Sequence, residues 1–449
     1  MGRGLKRVAL AVSTALTLAT ALLVGTASAA GADPLPDLSS RAAIEQYLVS
    51  IGVDPATAVW QTGLKNYAGP GCPGLGWNCV RANAPIVQIA APLGTNLFAC
   101  GGVDCVAVQT ALQGGNNGAG CLRTDKHDNP ALQVCDITQA NDGNPNSSNT
   151  ATINQSIEQN TGSPQDARQV ARITQDNGSG KNIATIHQVI AQTQNASGAN
   201  IVQSQEAHQA GTVSQETDTG DNSSNIDQRQ KQTQRASAAG TSTMQSQNTG
   251  TGTNTDPFAC DQPEGGPYNQ QKNQCADITQ VSGLVDLVGP VLLPGGGNNS
   301  SSLNHQISQG QMASRAGTVD QSQGAFASGE AGNKLQLSTG VSQGSALQDM
   351  SQSQSAPANA IVNQSQQTGD PRCCWEQAVN TANRANIDQT TLQTASDPNA
   401  FQSAVLQADC DSTGICHVTQ KATIDGFTVT ESCDAPSCHP VTFNSSGGD

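Results

Sequence analysis

Large aromatic side chains are scarce in this chain: 3% of its 449 residues are Phe, Trp or Tyr, and only 12% are charged. An ordinary enzyme core of this length draws on more of both. Acidic residues outnumber basic ones by 35 to 20, for a formal charge of −15, and the Lys and Arg are dispersed. Phosphate backbones require clustered cations, so nucleic acid is not an expected partner. There is no HExxH, no GxSxG and no P-loop; Gly178-Ser-Gly-Lys181 lacks both the spacing and the following Ser or Thr. Beyond residue 29 no stretch is long and apolar enough to span a bilayer. No catalytic residue, cofactor or metal ligand set is expected.

What the chain has in abundance is Gln, with 49 residues, and Gly, with 46. From Asn149 to Gln247 these follow a two-residue period. Ala151, Ile153, Gln155, Ile157 and Gln159 share one face of an extended segment, with Thr152, Asn154, Ser156 and Glu158 on the other. The same face recurs as Ala167, Gln169, Ala171, Ile173, Gln175; as Ala184, Ile186, Gln188, Ile190; as Ile201, Gln203, Gln205; and as Ile226, Gln228, Gln230. Every charge in these runs, Glu158, Asp166, Arg168, Arg172, Glu206, Glu216, Asp227, Arg229 and Lys231, has the opposite parity. A disordered Gln-rich linker would scatter its charges, so the segregation points to strands with an inside and an outside.

An inside made of glutamine carries a cost of a few kcal/mol for each unpaired buried amide, roughly. The cost disappears when identical amides stack at the strand spacing of about 4.8 Å, each donating to one neighbour and accepting from the other. That demands parallel strands near register. The anchors Gln155, Gln175, Gln188, Gln203, Gln215, Gln228 and Gln245 are 20, 13, 15, 12, 13 and 17 residues apart, with turns rich in Gly, Asn, Asp and Ser between them. The expected fold is mainly β: a Gln/Asn-rich parallel β-solenoid with successive anchors in successive layers. Its structural ladder comprises Ile153, Gln155, Ile173, Gln175, Ile186, Gln188, Ile201, Gln203, Ile226 and Gln228.

Asn149-Thr-Ala151-Thr-Ile153-Asn-Gln155 and Asn182-Ile-Ala184-Thr-Ile186-His-Gln188 resemble the N-x-A-x-I/V-x-Q strand signature of curlin repeats, the subunits of bacterial surface amyloid. The resemblance covers residues 136 to 250 and, more loosely, 277 to 420. It implies a coiled stack of strands at a bacterial surface. Uneven spacing, an apolar insertion and 14 cysteines set this chain apart from curlins.

Residues 1–29 read as a secretory signal: Arg3, Lys6 and Arg7, an apolar run from Val8 to Val24, and Ala27-Ser-Ala29 as the cleavage site, with an uncleaved anchor as the alternative. Residues 30–135 are expected to form a small helical, Cys-rich N-terminal cap. In it Ser40 starts a helix carrying Ile44, Tyr47, Leu48 and Ile51 on one face, and Asp54-Pro55 starts a second. Repeats would fill 136–256 and 301–409, separated by a disulfide loop and apolar insertion at 257–300, with a Cys-rich C-terminal cap at 410–449. Export permits disulfides. Candidate pairs are Cys72 with Cys79, Cys100 with Cys105, Cys121 with Cys135, Cys260 with Cys275 and Cys410 with Cys416, with Cys433 and Cys438 in the C-terminal cap; spacing leaves the connectivity open. Cys135, Cys275 and Cys416 stand 140 and 141 residues apart, each just before an Ile or Val, Thr, Gln strand start, which suggests a repeated disulfide-closed loop. Cys416-His417 and Cys438-His439 carry zinc-type ligands, but the spacing is not that of the common ribbons.

His187 and His208 have outward parity, whereas His305 can be registered either way. The chemistry-free reading is a secreted structural protein of the cell envelope or matrix, adhesive or self-assembling, meeting extracellular polysaccharide or like subunits. The alternative is an extracellular carbohydrate-binding or carbohydrate-active β-helix protein, which would need an aromatic platform or an acid pair on one outer face.

Overall fold

The computed structural model describes residues 40–50, 53–62, 77–81, 85–89, 95–100, 104–111, 115–126, 131–141, 144–160, 164–198, 200–238, 242–248, 274–282, 286–288, 291–293, 297–314, 318–335, 342–355, 361–368, 384–395, 401–406, 415–434 and 441–446. The expected signal at 1–29 and Cys72, Cys260, Cys410 and Cys438 lie outside the described residues. The chain is mainly β. Among the described residues one helix, α1 (Arg41–Ser50), precedes β1 (Val59–Thr62), β2 (Trp77–Arg81), β3 (Ile86–Ile89), β4 (Thr95–Cys100), β5 (Asp104–Ala111), β6 (Asn116–Lys126) and β7 (Ala131–Asn141). The long strands follow: β8 (Ser148–Gln159), β9 (Gln165–Asn177), β10 (Lys181–Gly198), β11 (Ile201–Thr217) and β12 (Asp221–Ala238). Next come β13 (Ser242–Asn248), β14 (Gln274–Ser282), β15 (Asp286–Val288), β16 (Val291–Leu293), β17 (Asn299–Ser314), β18 (Thr318–Leu335) and β19 (Ser342–Ser355). The last are β20 (Ile361–Thr368), β21 (Arg384–Ala395), β22 (Phe401–Leu406), β23 (Ile415–Ile424), β24 (Phe427–Asp434) and β25 (Val441–Ser446).

Successive strands alternate between two sheets. Sheet A runs β1-β3-β5-β7-β9-β11-β13-β18-β20-β22-β25, with β14 also between β11 and β18; sheet B runs β2-β4-β6-β8-β10-β12-β17-β19-β21-β23-β24. Pairing is parallel and in register until each sheet's last strand. Within sheet B, Ile153, Ile186 and Ile226 are register partners, as are Gln155, Gln188 and Gln228. Within sheet A, Ile137, Ile173, Val213 and Ile278 form the corresponding column. Alternate residues of each long strand are buried, as in β8 and β11, so the pleat puts the charges of these strands on the face opposite the buried column.

This arrangement corrects the expected order of layers. Gln155 and Gln175, consecutive along the chain, do not stack on each other; Gln155 stacks with Gln188, 33 residues away, because Gln175 belongs to the other sheet. Each layer therefore uses two strands.

The N-terminal region also differs from a cap. Strands β1 to β6 already form rungs of both sheets, since Ile86, Gln88, Ala107 and Gln109 carry the inward pattern. Helix α1 starts at Ser40, whose Oγ accepts from the Ala43 amide at 3.2 Å. It lies against one face of sheet A and not across the end of the stack: Ile44 and Leu48 pack with Val87 and Val108, neighbours of the inward Ile86 and Ala107. The second helix does not form. Asp54 Oδ1 accepts from the Ala56 amide at 2.9 Å, making a turn that leads straight into β1.

Two features break the regular stack. Strand β11 pairs with β13 over Ile201–Glu206 and with β14 over Gln209–Thr217, so two short strands share one rung. Strand β13 ends at Asn248 and β14 begins at Gln274 on the same rung. Ala276, not Cys275, partners Gly211, whereas Cys135 itself partners Ala171, so the 140-residue cysteine period is out of phase by one residue. Within the apolar insertion, β15 and β16 form a separate antiparallel pair. At the far end β24 and β25 pair antiparallel to β23 and β22. Asp425 and Gly426, with φ of 45° and 86°, make the β23–β24 turn, as an Asp-Gly hairpin requires.

The arches stack as well as the strands. Gly180 N donates to Asn177 Oδ1 at 3.0 Å, Asp218 N donates to Gly178 O at 2.7 Å, and Thr217 Oγ1 donates to Gly220 O at 2.9 Å. A Cβ at Gly220 would run into the Gly180 carbonyl, and one at Gly180 into the Ser147 carbonyl, so only glycine lets these turns lie on one another. Gly220→Ala is therefore expected to lower stability by about 1–3 kcal/mol through overpacking, read as a lower denaturant midpoint; Ser223→Ala, at an exposed position three residues further on, should leave the midpoint unchanged.

Candidate functional site

The chemistry of this molecule is concentrated in amide columns. In sheet A, Gln109 Nε2 donates to Gln88 Oε1 at 2.8 Å, and Gln139, Gln175, Gln215 and Gln280 each donate to the preceding glutamine at 2.7 Å. The second N–H of these amides crosses the interior. Gln139 donates to Thr150 O, Gln175 to Ile183 O, Gln215 to Ser223 O and Gln280 to Ser300 O, at 3.0 to 3.1 Å. One side chain thus ties its rung to the rung before and to the facing sheet.

Sheet B carries three such columns. Gln188 donates to Gln155 and Gln228 to Gln188, both at 2.8 Å. Gln192, Gln232, Gln309 and Gln352 continue from Gln159 at 2.8 Å, and Gln234, Gln311 and Gln354 from Gln194 at 2.8 to 3.0 Å. Gln203, Gln245 and Gln321 form a further column in sheet A. An asparagine column, Asn96, Asn117, Asn149, Asn182, Asn222 and Asn299, runs with the opposite polarity: each amide donates to the following rung, at 2.8 to 3.0 Å. Of the apolar ladder residues, Ile153, Ile173, Ile186 and Ile226 are fully buried and Ile201 nearly so.

Among the described residues, Arg123, Asp125 and His305 place ionisable side chains at positions of the glutamine columns or beside them. Arg123 and Asp125 on β6 pair at 2.8 Å, each about one-eighth exposed, and Gln133 Nε2 donates to Asp125 Oδ2 at 2.9 Å. Arg123 is the register partner of Gln155, at the foot of that glutamine column. Pairing satisfies both charges, which is the condition for placing them inside. His305 on β17 is the register partner of Gln228 on one side and Gln348 on the other, filling a glutamine position. It is 1% exposed, and neither ring nitrogen meets a hydrogen-bond partner among the described residues.

On the outer face of sheet B, Asp227 gathers neighbours from three strands: His187 Nδ1 at 3.0 Å, Arg229 Nη2 at 2.9 Å and Asn304 Nδ2 at 3.1 Å. On sheet A, His208 Nε2 pairs with Glu206 at 3.0 Å. These contacts stitch neighbouring positions of a solvated face and contribute little individually. Asp176 and Glu216, register partners at the ends of β9 and β11, both have raised pKa values, Asp176 at about 6; burial is the first cause, and like charge from Glu216 and Asp218 follows. Asp136, buried beneath Tyr47 of α1, also sits at about 6 through burial.

Among the cysteines, Cys100 is disulfide-bonded. Cys121 and Cys135 come together as the sequence pairing requires, but as buried free thiols, with the Cys135 thiol hydrogen-bonded to Cys121. Cys79, Cys105, Cys275, Cys416 and Cys433 lie on β2, β5, β14, β23 and β24. No family model, curated protein or solved structure matches the chain.

Two substitutions test the columns. Gln188→Leu removes the donor to Gln155 and the acceptor of Gln228, and should lower stability by about 1–3 kcal/mol for the polar groups left unmatched; an unchanged denaturant midpoint would show that the column carries no stabilisation. His305 is held at about 4 by burial, opposed by Asp227. In the unfolded chain a His titrates near about 6.5, so the unfolded state takes the proton first and stability, complete above that pH, falls as pH drops towards 4. His305→Gln should abolish this fall. Asp136 and Asp176, raised in the folded state, contribute a slope of opposite sign, so the readout is the difference between variant and parent from pH 7 to pH 4; superimposable pH profiles would refute it.

Proposed function

We propose that the protein is a secreted, structural β-solenoid that presents a hydrated face at the bacterial cell envelope or in its matrix. The observation that carries this reading is the pairing of amide columns inside with register-aligned polar rows outside. Thr152, Thr185, Asn225, Ser302 and Ser345 form one such row across five strands of sheet B, spaced at about 4.8 Å by the strands themselves. Ser345 Oγ donates to Ser302 Oγ at 3.3 Å. A rigid row of hydroxyls and amides at that spacing suits adhesion to extracellular polysaccharide, whose hydroxyls repeat along an equally stiff chain. The curlin-like signatures favour the same location, and the secretory signal favours export.

The C-terminal end favours a monomer over a filament growing from that end. Both sheets finish on an antiparallel strand. In β24, Glu431 is the register partner of Gln420, a buried position of the interior. A carboxylate at an inward position of an edge strand opposes addition of a further strand. The mechanism is physical: columns supply stiffness, rows supply contact, and the last rung stops growth.

The test combines location with assembly. Biotinylation of intact producing cells with a membrane-impermeant amine reagent should label the exposed Lys181, Lys231 and Lys421, and the mature protein should give a cooperative β spectrum by circular dichroism, sediment as a monomer and leave thioflavin T dark. Labelling that appears only after lysis would overturn the location; a coil spectrum would overturn the solenoid; dye-positive polymers would replace the monomer with an assembling fibre.

A further inference from the structure

Cys121 on β6 and Cys135 on β7 face each other from sheets B and A. Register sets Cys121 directly beside Cys100 of β4, and Cys135 directly beside Cys105 of β5. Cys100 is already in a disulfide, so it is not available to either thiol. On the other side, the column of Cys121 continues as Ile153, Ile186 and Ile226, and that of Cys135 as Ala171 and Gly211. Those rungs set a large side chain of sheet B against a small one of sheet A; a Cβ on Gly211 would stand 3.2 Å from Ile226 Cγ2. The cysteine rung replaces this large-and-small packing with two side chains of equal reach whose thiols are in hydrogen-bond contact. A pair placed this way suits a covalent bond across the interior as well as it suits packing.

We infer that Cys121 and Cys135 are an oxidation site, closing an inter-sheet disulfide that fixes the separation of sheets A and B at the foot of the long rungs. The oxidant is a small disulfide of the glutathione disulfide class. One cysteine thiolate attacks a sulfur of the oxidant, forming a mixed disulfide and expelling one thiolate; the second cysteine thiolate attacks the cysteine sulfur of that mixed disulfide, forming the Cys121–Cys135 bond and expelling the other. Two electrons pass to the oxidant, and the two protons lost by the cysteines end on the two released thiols. Burial raises the Cys135 thiol well above its ordinary range, which slows attack in the closed rung, so the bond forms before β6 and β7 close on each other. Once formed, it is sheltered from external thiols by the same burial.

Peptide mapping tests this directly, because Arg123 and Lys126 lie between the two cysteines. The mature chain, refolded with glutathione disulfide, is denatured, alkylated without reductant and digested with trypsin and chymotrypsin, the second cutting after Leu112 to part Cys121 from Cys100 and Cys105, which share its tryptic peptide. The Cys121 and Cys135 peptides are expected as one linked species that separates on reduction; in folded protein that species should survive a thiol that cleaves it after unfolding. Two alkylated peptides from the oxidised sample, or either cysteine linked to a different one, would overturn the inference. Cys121→Ile with Cys135→Ala borrows the packing of the Ile153 and Ala171 rung, so it should fold. The gap between oxidised and reduced unfolding midpoints should be smaller in this double variant than in the parent, and an equal gap would count against the bond.

Discussion

A buried primary amide has two N–H groups and one carbonyl to satisfy, and that requirement governs the rest of this structure. In the sheet A column one N–H and the oxygen are used along the stack, while the remaining N–H reaches a backbone carbonyl of the facing sheet. Only parallel strands in register offer the first contact, and only two sheets at a fixed separation offer the second. A slip of one residue would send the inward glutamines outward and the outward charges inward. The constraint acts on columns and not on sequence distance. Column neighbours are 33, 36, 40, 65 or 77 residues apart, yet their amides meet at 2.7 to 2.8 Å. Insertions are therefore tolerated wherever they leave and rejoin the same rung. The opposite polarity of the asparagine and glutamine columns sets their summed dipoles against each other, which limits the field that a long ladder of aligned amides would otherwise build.

The same requirement explains what could be read in advance. The inside and outside of the long strands were legible because parity is a local property: Ile153 and Gln155 differ from Asn154 by one step along the chain. The number of strands per layer was not legible, since stacking is decided in space, and the spacings of 12 to 20 residues between anchors describe the step between sheets as well as they describe a step between layers. The inward Arg123 and Asp125 were missed for a related reason. Parity arguments assign charges outward, and nothing local marks two charges that satisfy each other with the help of Gln133. His305 was ambiguous on its own strand; it is settled by its column, where Leu303 matches Ile226 and Ile307 matches Gln230. The second helix failed for a local reason, because an Asp-Pro start serves a turn as readily as a helix and Val59 and Trp60 belong to β1.

The N-terminal helix shows how the first rungs differ from the later ones. Later outward positions are mostly Thr, Ser, Asn or charged, with single apolar side chains such as Ile183 and Val202 left exposed among them. In β3 and β5 they are Val87 and Val108, and α1 covers them with Ile44 and Leu48. Burying those four side chains contributes about 1.5–3 kcal/mol each, which makes the helix a cover for one apolar patch of sheet A. The price of this closure is Asp136, a carboxylate buried at the edge of the patch and opposed by the charge of Arg172 on the next rung.

Faults in a stacked fold matter according to how many columns they cross. A repeat array is held by nearest-neighbour contacts, so a rung that breaks every column would divide the molecule in two. The rung at β17 comes close to that position: it follows the split rung of β13 and β14, it carries His305 in place of a glutamine, and it lies beyond the β15–β16 excursion. Its other two glutamine columns nevertheless run through it. Gln309 joins Gln232 to Gln352, and Gln311 joins Gln234 to Gln354, all at 2.8 to 3.0 Å. Asn299 extends the asparagine column into the same strand. The imidazole therefore interrupts one line of amides while three others cross β12 to β17 intact, so protonating it weakens this junction without severing it. That redundancy is what permits the chain to interrupt its own repeat with long insertions and still resume the same register beyond them.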